Sequence, residues 1–281
     1  MRAGEVVLGP LLFDLATPGL AVTLAEAGFD FVLFDLEHAP LDAPTVSAFM
    51  LAARHAGLAS VVKLPDLERS SVQRYLDYGA AGIQIPHVES ADEARRLAVW
   101  GRYPPRGERG QVFGLGNTGF RAVDRDGYVA EANDSVLLIA MIETRRGVER
   151  VEEILGGGDG GGGGAGGDAG AGSNAGGSGD NGPNVVFIGT GDLSSSYGVP
   201  GQMTHPIVLE AAERVVAACR VRGIATAINA ETPETARHWI ERGVSMIAYS
   251  SDLGMIRRQS ALLLEPLADL RARQRPDAGS T

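Results

Sequence analysis

Three ionisable side chains stand close together in the run Asp35-Leu36-Glu37-His38-Ala39-Pro40. The run follows Phe31-Val32-Leu33-Phe34, an apolar stretch that reads as a buried strand. Imidazole titrates near neutral pH, and a neighbouring carboxylate fixes its tautomer, so Asp35 and His38 suit acid–base work. Glu37 has the least defined task, support of His38 or of a metal's water shell. Packing, or capping of the helix after Pro40, is the bland alternative for His38. Two more acids close apolar runs downstream. Glu143 follows 136–142, and Asp192 follows 185–188 through Gly189-Thr190-Gly191. Two carboxylates with room left for water and substrate suit a hard divalent cation such as Mg²⁺ or Mn²⁺. The glycines around Thr190 would let backbone N–H groups approach a substrate carboxylate. Helix capping is the competing role for both acids. Lys63 ends a third apolar run. A cation there can stabilise an oxyanion, form a Schiff base if its pKa is depressed, or simply pair with an acid. His87, after Pro86, follows a fourth run and faces the same end. His55, His205 and His238 fall on helical surfaces or helix starts and are assigned no role.

These residues need a scaffold that brings distant strand ends together. Short β-rich runs at 6–13, 31–35, 60–63, 82–85, 136–142, 185–188, 224–228 and 245–249 predict strands. Helical patterns follow at 18–27, 43–55, 69–78, 91–100, 145–154, 206–222, 233–242 and 252–271. One helix after each of eight strands predicts a parallel sheet with right-handed crossovers. Eight such units in one chain suit a closed (β/α)8, or TIM, barrel, with an open doubly wound sheet as the other solution. In a barrel the strands' C-terminal ends form one mouth, and chemistry sits there. Asp42 and Ser90 precede helices as N-caps, Ser90 with Glu93 at capping-box spacing. Gly28, Gly57, Gly79, Gly223 and Gly243 stand where helices should stop.

A single barrel domain is expected over 1–272. The segment 156–182 is nearly all Gly, Asp, Ala, Ser and Asn, cannot offset its ordering entropy by burial, and reads as a flexible insert. A tail at 273–281 is expected to be disordered. The 281 residues carry a net charge of −10, which argues against a nucleic-acid binder. No apolar run reaches the roughly 18 residues of a membrane span, and no signal peptide is legible. The one cysteine, Cys219, cannot form an internal disulfide, which suits a reducing cytoplasm. Gly114-Leu115-Gly116-Asn117-Thr118-Gly119 matches a dinucleotide-binding spacing but follows a loop, not a strand, so no nucleotide cofactor is expected.

Four motifs in order resemble the HpcH/HpaI aldolase family of metal-dependent (class II) pyruvate aldolases. They are the 35–40 run, Arg102-Tyr103-Pro104-Pro105 with Arg109-Gly110, Ile142-Glu143-Thr144, and Gly189-Thr190-Gly191-Asp192-Leu193-Ser194. The resemblance spans nearly the whole chain outside the glycine-rich segment and the tail. It implies a barrel of the phosphoenolpyruvate/pyruvate superfamily type and a hexamer that exchanges its last helix between paired subunits. It implies Mg²⁺, Mn²⁺ or Co²⁺ on Glu143 and Asp192, with Thr190, Gly191 and Asp192 binding the substrate carboxylate. It implies His38, paired with Asp35, in proton transfer, Lys63 against the keto oxygen, Asp77 in the site network, and Arg109 in support. The implied reaction is reversible cleavage of a 4-hydroxy-2-oxo acid into pyruvate and an aldehyde. A related 2-oxo acid lyase or decarboxylase, and a catalytically degraded ligand-binding barrel, are the alternatives. Lys63 stands where the family usually has arginine, and Met141 where it often has glutamine.

Overall fold

The structure is a computed structural model and describes residues 5–156 and 182–268. The expected glycine-rich insert, apart from its two end glycines, and the expected tail lie outside the described residues. Eight parallel strands close into a barrel in sequence order. They are β1 (Val7–Leu12), β2 (Phe31–Asp35), β3 (Ala59–Lys63), β4 (Gly82–Ile85), β5 (Leu137–Ile142), β6 (Val185–Ile188), β7 (Ala225–Ala230) and β8 (Met246–Ser251). Closure is made by β1 against β8, with Val7 opposite Met246.

The helices are α1 (Pro18–Glu26), α2 (Ala43–Ala56), α3 (Arg69–Asp77), α4 (Ala91–Gly101), α5 (Arg125–Ser135), α6 (Arg145–Glu149), α7 (Val151–Ile154), α8 (Thr190–Ser196), α9 (Pro206–Val221), α10 (Pro233–Ile240) and α11 (Asp252–Leu264). Their local signals are the expected ones. The Asp42 carboxylate accepts from the Thr45 N–H at 2.9 Å, and α2 stops at Gly57 with φ 79°. Ser90 caps α4, although Glu93 reaches the Ser90 hydroxyl and the Glu89 N–H rather than the N-cap amide of a standard box.

Three helical details differ from expectation. The helix at 145–154 is broken at Arg150, and α11 gives way to a short 3-10 turn at Glu265–Leu267. Helices α5 and α8 carry no apolar stripe: α5 buries only Asn133 and α8 has Leu193 as its one large apolar residue, so periodicity does not reveal them.

Two apolar cores follow from the two faces of a closed sheet. Val32, Phe34, Val62 and Ile188 pack outward against the helices. Phe31, Leu33, Val61, Ile139, Met141, Val185 and Phe187 fill the interior. Side chains alternate along a strand. Counting on by two from Leu33, Val61, Met141 and Phe187 reaches Asp35, Lys63, Glu143 and Gly189. The interior core therefore ends, at the C-terminal mouth, in a ring of charged residues with one glycine.

Candidate active site

Asp35 and Lys63 are register partners across β2 and β3. Their side chains meet, Lys63 Nζ lying 3.1 Å from Asp35 Oδ2 and 2.7 Å from Glu37 Oε2. Burial alone would push the Lys63 pKa down, but the Glu37 and Asp35 carboxylates outweigh it and the net shift is upward. The amine is therefore held as an ammonium, opposite to the depression that a Schiff-base lysine needs. Asp35, Glu37 and His38 offer ligand atoms within 4.8 Å of one another. The Lys63 ammonium already stands between the two carboxylates and supplies the positive charge of that cluster.

The turn after β2 is held by Asp35, whose Oδ1 accepts the N–H groups of Glu37 and His38 at 3.0 Å each. The expected pairing of the His38 imidazole with Asp35 is not what the chain forms. Asp35 takes the His38 main chain, while His38 Nε2 lies 3.5 Å from Glu37 Oε2. Tying the Asp35 carboxylate to the turn and to Lys63 leaves Glu37 as the carboxylate that faces the histidine.

Glu143, just beyond β5, is 1% exposed. Its Oε1 accepts the His87 N–H at 2.8 Å, while its Oε2 is buried without a partner. An orphaned carboxylate oxygen is costly and needs a reason. Burial, chiefly, pushes the Glu143 pKa up to about 7; the His87 and Lys63 groups oppose this and Asp192 adds to it. Room for this carboxylate exists because residue 189 is glycine. A Cβ there would lie 2.6 Å from Glu143 Oε2.

Asp192 stands exposed in the first turn of α8, which begins just after β6. Helical geometry leaves the N–H groups of Thr190, Gly191 and Asp192 outside the helical hydrogen-bond ladder. The unpartnered buried oxygen on Glu143 and the nearby Asp192 carboxylate form a hard, anionic donor pair, with room left by the glycine at 189. These residues fit a divalent cation.

Asp77 and Arg109 do not join this cluster within one chain. Asp77 ends α3, and Arg109 Nη2 donates to its Oδ1 at 2.7 Å while lying over the Tyr103 ring. A cavity of about 610 Å³ beside Arg109 is lined by Ser60 and Ala81, at the starts of β3 and β4. That is the end of the barrel opposite the mouth. The Arg102–Pro105 motif also makes its contacts away from the mouth within one chain. Tyr103 is buried and its N–H donates to Asn133 Oδ1, and the Arg102 guanidinium reaches the Gly182 carbonyl.

Two mouth residues escaped the sequence reading. Asp252 follows β8 and is buried; its Oδ2 accepts the N–H groups of Phe13, Asp14 and Leu15, which clasps the loop after β1. It is an acidic strand end like Glu143, so the same rule reaches it. Met141 is met by Gln84, whose Nε2 lies 3.0 Å from its sulfur. That contact depends on two neighbouring strands and has no local signal.

The chain is similar to known proteins over nearly its whole length. The model of the HpcH/HpaI aldolase/citrate lyase family matches residues 11–258. The chain is 34% identical over 256 residues to the hydroxypyruvate/pyruvate aldolase of Roseovarius nubinhibens, covering 91% of this chain and 90% of that one. It is 31% identical over 252 residues to the 5-keto-4-deoxy-D-glucarate aldolase of Klebsiella pneumoniae, covering 89% and 88%. The crystal structure of an HpcH/HpaI aldolase from Desulfitobacterium hafniense superimposes with a TM-score of 0.82 at 29% identity, covering 99% and 96%. With the closed barrel and its acidic mouth, these matches place the chain in the HpcH/HpaI aldolase/citrate lyase family.

Proposed function

We propose that the chain is a divalent-metal-dependent lyase that reversibly cleaves a 4-hydroxy-2-oxo acid to pyruvate and an aldehyde. The observation that carries this reading is Glu143: a buried carboxylate with one oxygen unpartnered, beside Asp192, in a family that contains pyruvate aldolases. Glu143 and Asp192 would hold Mg²⁺, Mn²⁺ or Co²⁺. When bound, the metal supplies a Lewis acid for negative charge that develops on the 2-oxo group.

The chain's own residues do the rest. The first turn of α8 aims the N–H groups of Thr190, Gly191 and Asp192 at the substrate carboxylate. Lys63, kept protonated by Asp35 and Glu37, adds fixed positive charge beside the keto oxygen. Cleavage removes the proton of the 4-hydroxyl group. The C3–C4 bond then breaks, its electron pair passes into the enolate, and the aldehyde leaves. Protonation at C3 yields pyruvate. His38, exposed and next to Glu37, is the group placed to accept and return that proton.

Exposed leucines on α11, Leu262 at 57% and Leu263 at 65%, support the hexamer with an exchanged last helix. The helix buries only Asp252 of its own residues. Among the described residues no helix is long and apolar enough to cross a membrane. A cytoplasmic enzyme acting on small 2-oxo acids and aldehydes, not on nucleic acid, fits the acidic charge and the single buried Cys219.

The test is pyruvate release coupled to lactate dehydrogenase across a panel of 4-hydroxy-2-oxo acids. Exhaustive EDTA treatment should abolish release, and Mg²⁺, Mn²⁺ or Co²⁺ should restore it. Full activity in the metal-free protein would overturn the proposal.

A further inference from the structure

His87 occupies an unusual position in the mouth. It follows β4 directly after Pro86 and adopts φ 52°, a left-handed conformation uncommon for residues other than glycine. The turn is pinned to the next strand, because the Val88 N–H donates to the Met141 carbonyl at 3.0 Å. In that pose two groups of His87 converge on one atom. Its main-chain N–H donates to Glu143 Oε1 at 2.8 Å, and its ring Nδ1 lies 3.3 Å from the same oxygen. The other ring nitrogen, Nε2, lies 3.7 Å from Glu37 Oε1. The imidazole thus spans the gap between the Lys63–Glu37 cluster and Glu143. Glu143 Oε2, on the far side of the carboxylate, has no partner.

We infer that His87 is a positioning residue for Glu143: its main-chain N–H bonds Oε1 and its ring Nδ1 stands beside the same oxygen, and so His87 presents Oε2 as the donor to the metal. The inference rests on the metal-site reading proposed above. Loss of a group that orients a ligating carboxylate typically costs about 10–100-fold in metal affinity. The left-handed backbone is what allows N–H and ring to reach the same oxygen. In an extended residue the side chain stands roughly perpendicular to the strand plane that holds the N–H, so the two would not meet at one oxygen.

The experiment uses equilibrium Mn²⁺ binding, read as free Mn²⁺ by electron paramagnetic resonance, with no turnover involved. His87→Asn and His87→Gly both tolerate positive φ, so they keep the turn and the main-chain bond and remove only the ring. Each should weaken Mn²⁺ binding by about 10–100-fold, while the metal-free melting temperature stays that of the wild type. Unchanged Mn²⁺ affinity in both variants overturns the inference and leaves the metal site standing. An affinity loss matched by a fall in metal-free melting temperature also overturns it, since His87 would then serve the fold alone. Wild-type protein that binds no Mn²⁺, indistinguishable from Glu143→Gln, overturns the metal reading itself.

Discussion

Replacing Glu143 by glutamine should stabilise the metal-free barrel above neutral pH and remove metal binding in the same step. The carboxyl ionises near pH 4.5 when exposed and at about 7 in the fold, mainly because burial penalises its charge. A carboxyl raised in this way adds stability that is complete below pH 4.5 and lost as pH rises through about 7. Each tenfold change in proton affinity is worth about 1.4 kcal/mol, so the separation amounts to roughly 3 kcal/mol at pH 8. Glutamine keeps an oxygen to accept the His87 N–H but never ionises, so it escapes the loss. In thermal unfolding with EDTA present, wild type and Glu143→Gln should differ little at pH 5. At pH 8 the variant should melt higher by on the order of 5–10 °C. Other titrating groups cancel in the comparison because both proteins carry them. Parallel melting curves from pH 5 to pH 8 would refute the claim that Glu143 is held against its ionisation.

Gly189→Ala places a Cβ 2.6 Å from both Glu143 Oε2 and the Met141 methyl. It should abolish Mn²⁺ binding in calorimetry while the far-ultraviolet circular dichroism stays that of the barrel. Lys63→Met strips the ammonium from between Asp35 and Glu37 and leaves the buried Asp35 carboxylate uncompensated. A loss of about 3–5 kcal/mol in denaturant unfolding is expected, much of it recovered when Asp35→Asn is added, and little of it seen with Lys63→Arg.

The strands and most helices of this protein are local properties. Phe31 to Phe34 and Val185 to Ile188 are apolar without interruption because a parallel barrel strand is covered on both faces. Capping by Asp42 and the stop at Gly57 are satisfied within a few residues of chain, so they are readable without the fold. The two-residue alternation also carries Asp35, Lys63 and Glu143 to the interior of the mouth, which is why acidic strand ends marked the site. Helices α5 and α8 were not legible, since neither depends on an apolar stripe. Arg125–Ser135 is held by its Asp124 cap, and Thr190–Ser196 starts from the end of β6.

Pairing within the site was decided by the tertiary structure alone. Spacing puts Asp35, Glu37 and His38 in one loop, but it does not say that Asp35 spends one oxygen on the turn and the other on Lys63. That division turns His38 toward Glu37. The resemblance gathers Asp77 and Arg109 into the site; within one chain α3 carries Asp77 to the opposite end of the barrel, where Arg109 meets it. His87 is a lone histidine in sequence. Its φ of 52° and the register of β4 against β5 bring its N–H and ring to Glu143. Strand periodicity determines which face a side chain takes, because the pleat is local. Which oxygen stays free is settled only when four strand ends, separated by up to more than a hundred residues, close into one ring.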